Sequence, residues 1–354
     1  MEGWITVSQL KNLTEFLDKF CGTVSPEYRY GYLFFDKGLK VFATDGHAKM
    51  VMNFTREFLP FDGVCSIPIQ YLKGILRGYK NKSDDLLKLS IEDNYLFFEF
   101  EEMRMNMEIN KENKSIDIEK NFKILSSVSL KRFLKSLDFV SAAANEGEYI
   151  QFVSSEDKNY IVYSSPFFQS RSVIDDGFNG FDFAMTFETC RHLVKSLSLL
   201  KNEATVHFGK DGDNVFMYLP GVVINISLFD YENHYFHKKK NDFLECVDFD
   251  LSFIKKSLDK MYVAFKQNNN VVFLLTPKES YLYKEEEHSK ISWKIPVNTK
   301  NQYLINLNVR KVRSLFTRMS EKCVLNFSKD EMVIVDKKNN IASFKVKEYK
   351  IINS

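Results

Sequence analysis

Few residues of this chain could bind a metal ion, and they lie far apart. Of the six histidines, only His234 and His237 are close together, in an HxxH spacing within a basic linker, and Cys246 is the nearest thiol. This spacing matches no standard zinc site. Asp211 and Asp213 flank a glycine, but no acidic ligand follows where a calcium loop requires one. We therefore expect a solvated linker and a hairpin turn at these places, with no metal site.

Catalytic signatures are absent from the sequence as well. It contains no GxGxxG, P-loop, HExxH or GxSxG stretch. The paired carboxylates Glu101 and Glu102 are adjacent on a predicted strand, so they point to opposite faces and cannot act together. The sequence predicts a protein that is not an enzyme and needs no cofactor. An enzyme on a strand-rich scaffold is the alternative from a different class.

Basic side chains, by contrast, recur at helical spacing. The segment Val128–Val140 is the clearest case, because apolar residues at i, i+3, i+4 and i+7 predict one buried helix face. That face consists of Leu130, Phe133, Leu134 and Leu137. Lysine and arginine occupy the other side of the same helix, with two lysines one turn apart.

Five further segments repeat this pattern at intervals of roughly 60 residues. The six predicted helices are Val7–Phe20, Pro68–Lys80, Val128–Val140, Thr186–Leu199, Asp250–Met261 and Asn308–Ser320. Together they contain 17 basic and six acidic residues, a net charge of +11, whereas the whole chain carries only +2. The rest of the chain is therefore acidic, and positive charge is concentrated on one kind of element.

A basic helical surface predicts binding to the phosphate backbone through counterion release, independently of base sequence. No asparagine, glutamine and arginine constellation on these helices indicates base readout. We expect double-stranded DNA to be the partner. The side chains predicted to contact it are Lys73, Arg77, Lys80, Lys131, Arg132, Lys135, Arg191, Lys195, Lys255, Lys256, Lys260, Arg310, Lys311 and Arg313.

The segments between the helices predict antiparallel strands. A short apolar run precedes each helix, and alternating runs separated by Asp-Gly or Asn-containing turns follow it. The unit is thus strand, helix and three or four antiparallel strands, repeated six times, which predicts an α+β fold. Because one such unit buries too little surface to fold alone, pairs of units should share a core. We predict three domains, at 1–115, 121–235 and 243–354, joined by polar linkers at 110–120 and 234–242.

This organisation resembles the bacterial DNA sliding clamp, the β subunit of the replicative DNA polymerase holoenzyme. The repeat pattern covers essentially the whole chain, and Ala43-Thr44-Asp45-Gly46-His47 resembles a short motif of that family. In the family this motif belongs to the second domain, whereas here it lies in the first. The equivalent place in the second repeat pair reads Ser164-Ser165-Pro166-Phe167-Phe168. The sequence is interpreted as a divergent clamp of bacterial or bacteriophage origin.

The resemblance implies a ring of two copies joined head to tail, with the basic helices on the inner wall and the sheets outside. Such a processivity factor slides along duplex DNA and tethers a DNA polymerase, and a clamp loader is a further partner. Clamps of this family capture hydrophobic partner peptides in an apolar pocket. By position, the pocket resembles one lined by Ser164, Ser165, Pro166, Phe167, Phe168, Tyr349, Ile351 and Ile352. By motif, the alternative is Thr44, Asp45, Gly46 and His47.

Two further expectations concern assembly and location. The alternative within the same fold is a monomeric processivity factor that binds DNA through an open basic face.

The five cysteines are widely spaced with no CxxC pair, which is typical of a reducing compartment. The N-terminal segment lacks the basic and apolar regions of a signal peptide, and no apolar run is long enough to span a membrane. We expect a cytoplasmic protein, in a bacterial cell or a phage-infected host.

Overall fold

The computed structural model describes residues 2–21, 28–36, 38–55, 59, 61–79, 85–110, 123–154, 158–174, 182–200, 204–228, 243–264, 270–286, 289–338 and 340–352. Within these ranges the chain forms six α-helices and 24 β-strands. Their order is one strand, one helix and three strands, six times over. The predicted α+β repeat is therefore confirmed, and the number of strands after each helix is three throughout.

The first three repeats occupy the first half of the chain. Repeat 1 contains β1 (Glu2–Thr6), α1 (Val7–Cys21), β2 (Tyr30–Asp36), β3 (Leu39–Thr44) and β4 (Ala48–Thr55). Repeat 2 contains β5 (Asp62–Pro68), α2 (Ile69–Leu76) with a 3-10 turn at Arg77–Tyr79, β6 (Leu86–Glu92), β7 (Tyr95–Phe100) and β8 (Met103–Asn110). Repeat 3 contains β9 (Ile124–Ser129), α3 (Leu130–Ser141), β10 (Tyr149–Ser154), β11 (Asn159–Ser164) and β12 (Phe168–Ile174).

The second half of the chain has the same order of elements. Repeat 4 contains β13 (Phe183–Thr186), α4 (Phe187–Leu197), β14 (Thr205–Asp211), β15 (Asn214–Leu219) and β16 (Val222–Ser227). Repeat 5 contains β17 (Glu245–Asp250), α5 (Ser252–Ala264), β18 (Asn270–Leu275), β19 (Ser280–Glu286) and β20 (Ser289–Ile295). Repeat 6 contains β21 (Gln302–Asn308), α6 (Val309–Phe316), β22 (Lys322–Phe327), β23 (Glu331–Asp336) and β24 (Asn340–Lys350).

Neighbouring repeats exchange their first strands. The strand β1 of repeat 1 pairs with β6 of repeat 2, and β5 of repeat 2 pairs with β2 of repeat 1. In the same way β9 pairs with β14, β17 with β22, and β21 with β18. Each exchange buries apolar faces of two repeats in one core, which a single repeat could not provide.

The chain divides into two compact units, residues 1–134 with 176–229 and residues 135–175 with 230–354, and the division falls inside α3. In the first unit one antiparallel sheet has the strand order β1-β6-β7-β8-β5-β2-β3-β4-β16-β15-β14-β9. In the second unit the order is β10-β11-β12-β24-β21-β18-β19-β20, and β23, β22 and β17 follow one another from β24. Most of the proposed linkers lies outside the described residues, so the three domain boundaries stay a prediction.

Local hydrogen bonds begin the helices. At α1, the hydroxyl of Thr6 accepts from the backbone N–H of Gln9 (3.0 Å), and the Gln9 side chain accepts from the N–H of Thr6 (2.7 Å). This reciprocal capping box satisfies two donors that the first helical turn leaves open. Thr186 and Asn308 cap α4 and α6 through their side-chain oxygens. These caps end strands and begin helices at the points where the hydrophobic period changes from two to 3.6 residues.

Candidate nucleic-acid interface and partner pocket

Helix α3 presents the basic face that the sequence predicts. Its apolar residues Leu130, Phe133 and Leu137 are buried, and the Phe133 ring contacts Phe208 edge to face at 5.5 Å. Lys131 and Lys135 lie exposed on the opposite side, one turn apart. The packing of one face therefore fixes the direction of both ammonium groups.

Helix α4 carries Arg191 and Lys195 on its exposed side. The Arg191 guanidinium lies 5.4 Å from the ring centroid of Phe187, one turn earlier, which limits its side-chain freedom. Partial burial, together with the nearby Arg191, lowers the pKa of Lys195. Repulsion between two neighbouring cations is relieved when an anion binds, so this pair is suited to a phosphate group.

Helix α2 contributes less charge than expected. Lys73 forms an ion pair with Asp18 of α1, and Gln70 donates to the same carboxylate at 2.5 Å. Arg77 is exposed in the 3-10 turn that follows α2. Lys80 lies outside the described residues, and its predicted role stays a prediction. Of these three cations, Arg77 is thus the one that the structure describes as exposed and outside an ion pair.

Helices α5 and α6 pack together and pair part of their charge. Arg313 Nε lies 2.5 Å from Asp259 Oδ1, and its guanidinium lies 4.8 Å from the ring centroid of Tyr262. Lys255 donates to the backbone carbonyl of Met319 at 3.0 Å. The cations of these helices that stay exposed are Lys256, Lys260 and Arg310.

Arg132 of α3 is half-buried, so it is less accessible than its neighbours on that helix.

Lys311 lies inside a polar and aromatic cluster of the second unit. Its ammonium is 3.2 Å from the hydroxyl of Tyr163 and 3.7 Å from Glu148 Oε1, and it lies 5.8 Å from the ring centroid of Phe168. The Tyr163 hydroxyl donates to Glu148 Oε2 at 2.8 Å. Burial and this hydrogen bond raise the pKa of Tyr163, so the phenol keeps its proton. Lys311 therefore positions the β11–β12 hairpin, a role that the sequence did not predict.

The adjacent residues Lys311 and Arg310 should respond differently to replacement by alanine. Lys311→Ala removes charged contacts to Glu148 and Tyr163, so we expect the free energy of unfolding to fall by about 1–3 kcal/mol. Arg310→Ala removes an exposed side chain and should change stability by less than about 0.5 kcal/mol. Urea unfolding followed by Trp293 fluorescence in a Trp4→Phe background measures both variants. Equal stability losses would contradict the role given to Lys311.

The turn at Thr44–His47 is held by its own hydrogen bonds. Asp45 Oδ1 accepts from the backbone N–H groups of His47 (3.0 Å) and Ala48 (2.7 Å), and Asp45 Oδ2 lies 2.9 Å from His192 Nδ1 on α4. Burial opposes the charged carboxylate, but the bonds from His192 and the backbone outweigh it and lower the pKa of Asp45. This geometry accounts for Asp45 as a structural residue that joins the β3–β4 turn to α4.

Gly46 is required in this turn. Its φ of +98° lies in the left-handed region, and a Cβ atom would come within 2.8 Å of the Tyr28 ring. A larger residue would therefore adopt a strained backbone conformation and would have to displace the Tyr28 side chain. The resemblance motif Thr-Asp-Gly-His thus has a local folding explanation here.

The β11–β12 turn at Ser164–Phe168 has a different character. The Ser165 hydroxyl bonds to the carbonyl of Phe168 at 3.0 Å, which closes the turn, and Phe167 at its tip is 72% exposed. Phe168 points the other way, and its ring stacks on Phe344 with centroids 6.0 Å apart. The turn therefore presents one large apolar side chain on a rigid support, with Pro166 exposed beside it.

The C-terminal segment is attached to this turn. The backbone N–H of Lys345 in β24 donates to the carbonyl of Phe167 at 3.1 Å. Further along β24, Tyr349 packs against Tyr303 with ring centroids 5.4 Å apart. Ile351 and Ile352 follow β24 and are exposed. The predicted pocket residues of the β11–β12 turn and of the C-terminal segment are thus connected through β24. Among them, Phe167, Ile351 and Ile352 supply exposed apolar surface.

The described residues contain no group of three or more histidine, cysteine, aspartate or glutamate side chains arranged to hold a metal ion. None of the described helices is long and apolar enough to cross a membrane. The histidine pair of the predicted basic linker, His234 and His237, lies outside the described residues.

Comparison with solved structures identifies the fold. The chain superposes on the DNA polymerase III subunit beta from Pseudomonas aeruginosa with a TM-score of 0.82 at 12% identity, over 98% of this chain and 100% of that one. DNA polymerase III beta subunit from Thermotoga maritima superposes with a TM-score of 0.81 at 13% identity, over 98% of each chain. The Helicobacter pylori beta clamp bound to a DNA ligase peptide superposes with a TM-score of 0.77 at 12% identity, over 98% of this chain and 99% of that one. No protein-family model and no curated protein sequence matches the chain. The chain therefore has the sliding-clamp fold over nearly its whole length, which confirms the fold predicted from the resemblance.

Proposed function

We propose that this protein is a DNA sliding clamp: copies of the chain join head to tail, surround duplex DNA and tether a DNA polymerase. It performs no chemical reaction and needs no cofactor. One observation carries the proposal beyond the fold match. The strand pairings inside the chain follow a rule whose continuation requires a second copy.

The rule concerns the last strand of each repeat. In the first unit, β4 of repeat 1 pairs with β16 of repeat 4, as in Val51 opposite Val223. In the second unit, β12 of repeat 3 pairs with β24 of repeat 6, as in Phe168 opposite Phe344. Each odd repeat thus joins the repeat three places further along the chain. By this rule repeat 5 should join a repeat three places further along, and its own chain ends at repeat 6.

The two remaining last strands are β20 of repeat 5 and β8 of repeat 2. Within the described residues, β20 pairs only with β19, and it ends its sheet. β8 pairs with β7 along its length but with β5 only at Ile109 and Asn110. β24 has the same arrangement, because its end pairs with β21 while its beginning pairs with β12. The beginning of β8 therefore corresponds to the beginning of β24, which is the part of that strand that pairs with the last strand of another repeat.

Pairing of β20 with β8 of the next copy would continue both sheets and close a ring. Open strand edges with exposed apolar residues favour association with another strand. Val51 and Val223 are buried at an internal junction, whereas Ile291 of β20 is 39% exposed. Association through β8 and β20 would cover Ile291 as the internal junctions cover their own apolar residues. The contact is head to tail, so copies joined by it form a ring where the rotation between them closes and an open filament where it does not.

Inside such a ring the exposed cations of the helices contact phosphates without reading bases. The contacts are weak enough individually to allow sliding, because retention comes from the closed ring. The cations that support this role are Arg77, Lys131, Lys135, Arg191, Lys195, Lys256, Lys260 and Arg310.

The partner pocket is proposed at the β11–β12 turn and the C-terminal segment. Exposed Phe167, Ile351 and Ile352 offer apolar surface to a short hydrophobic peptide of a polymerase or of a clamp loader. The structure of the Helicobacter pylori clamp contains a DNA ligase peptide, which supports peptide binding by this fold. The turn at Thr44–His47 is the second candidate, with less exposed apolar surface.

The test is the solution mass, measured by sedimentation equilibrium across a range of concentrations. We expect the wild type at twice the 41.5 kDa of the chain, and Ile291→Asp largely as a monomer. Ile124→Asp is the matched control, because Ile124 is 54% exposed on the edge strand β9, which is the first strand of its repeat. This control should remain a dimer. A wild type that stays monomeric at all concentrations would instead support the open, directly binding processivity factor.

A further inference from the structure

Helix α5 carries an exposed stripe of mixed character. Phe253, Lys256, Lys260 and Val263 lie at i, i+3, i+7 and i+10, so they follow one another along one side of the helix. Phe253 is 47% and Val263 70% exposed, and both lysines are exposed. The opposite side is buried through Ile254, Leu258 and Met261. The exposure of Phe253 is therefore set by the packing of the helix.

The charge of this stripe identifies the class of ligand. The stripe contains two cations and no carboxylate. The one acidic residue of α5, Asp259, forms an ion pair with Arg313. Exposed Arg310 of α6 adds charge in the same unit. An apolar peptide would leave two ammonium groups without partners, whereas a nucleic acid supplies phosphates to both.

The phenylalanine distinguishes between forms of nucleic acid. A duplex presents phosphates at its surface and keeps its bases stacked inside, so an exposed aromatic ring finds no partner there. An unpaired base offers a planar face on which Phe253 can stack. The stripe extends about 15 Å along the helix axis at a rise of ~1.5 Å per residue. That length equals about four nucleotides at the ~3.4 Å spacing of one stacked strand.

We propose that the α5 stripe binds single-stranded DNA, with Phe253 stacking on a base, Lys256 and Lys260 contacting successive phosphates, and Val263 covering a second base or sugar. The inference rests on the proposed DNA-contacting function of the helices and extends it to unpaired nucleotides. It gives the protein a contact with the unpaired template beside a primer end, which duplex binding alone does not provide.

The experiment compares two fluorescein-labelled probes, an unstructured single strand and a blunt duplex of equal length, by anisotropy titration of the full-length protein. Phe253→Ala should weaken single-strand binding by about 5- to 100-fold and change duplex binding by less than about twofold. Phe253→Trp should keep or strengthen single-strand binding, because a larger ring stacks at least as well. Lys256→Gln with Lys260→Gln should weaken binding of both probes.

Tyr218→Ala is the matched control, since Tyr218 is 45% exposed but lies on strand β15. It should change neither affinity. Duplex affinity serves as the internal measure of correct folding for the Phe253 variants and for the Tyr218 control. If Phe253→Ala leaves single-strand affinity unchanged, or lowers polymerase stimulation alone, the stripe does not bind single strands and the inference is overturned. If the wild type binds neither probe, the proposed DNA-contacting function fails with it.

Discussion

Replacement of Asp45 by alanine is expected to lower the free energy of unfolding of the first unit by about 3–5 kcal/mol, because three hydrogen-bond donors lose a buried acceptor and each such loss costs about 1–3 kcal/mol. Asp45 is buried and accepts hydrogen bonds from His47, Ala48 and His192. Alanine leaves all three donors without this acceptor in a site that water does not reach freely. Few single replacements in the chain should have a larger effect, because a folded domain is stable by only about 5–15 kcal/mol.

The contribution of Asp45 should depend on pH in a defined direction. Its folded-state pKa is lowered, so the stabilisation is fully present above the unfolded-state pKa of about 3.9. It is lost as the pH falls through the folded-state pKa, because the carboxyl group then takes up a proton in both states. The stability difference between wild type and Asp45→Ala should therefore shrink below about pH 4.

The measurement is urea unfolding in a Trp293→Phe background, where Trp4 reports on the first unit. Asp213→Ala is the matched control, because Asp213 also ends a strand turn but is exposed. We expect a change of less than about 0.5 kcal/mol for this control. A loss for Asp45→Ala no larger than that of Asp213→Ala would remove the structural role given to the Asp45–His192 pair.

The helices could be predicted from the sequence because their signal is local. In α3, four apolar residues at helical spacing define the buried face, and all four are buried in the structure. The hairpin turns at Asp45-Gly46 and Asp93-Asn94 are local signals of the same kind, and strands end at both. Six repetitions of one local pattern then indicated the fold even though sequence identity to the three clamp structures compared above is only 12–13%.

The roles of individual cations could not be predicted, because they depend on residues far apart in sequence. Lys311 contacts Tyr163, and Arg318 forms an ion pair with Asp138 at 2.7 Å. Both pairs join side chains separated by well over a hundred residues, and only the fold brings them together. Charge counting treats a paired and an exposed lysine alike, so the sequence overestimated the positive charge that the helices offer to DNA.

The exposed cations that remain lead to the second prediction, a loss of duplex affinity when Lys131 and Lys135 are both replaced by glutamine. Counterion release at about 0.1 M salt contributes roughly tenfold in affinity for each phosphate contact. Removing two contacts per protomer should therefore weaken binding by about 100-fold or more. The slope of log affinity against log salt concentration should become less steep by about 2 per protomer. Stability should hardly change, because both side chains are exposed.

Position on the helix, and not total charge, is what this prediction tests. Lys345→Gln with Lys347→Gln is the matched control, since both lysines are exposed on strand β24 and their replacement removes the same charge. Anisotropy titrations with a labelled duplex, repeated between about 50 and 200 mM salt, give the affinity and the slope for both double variants. The control should bind nearly as well as wild type, because strand β24 belongs to the sheets that face away from DNA in the proposed ring. If both double variants lost affinity equally, binding would follow net charge alone, and the helices would have no special part in contacting DNA.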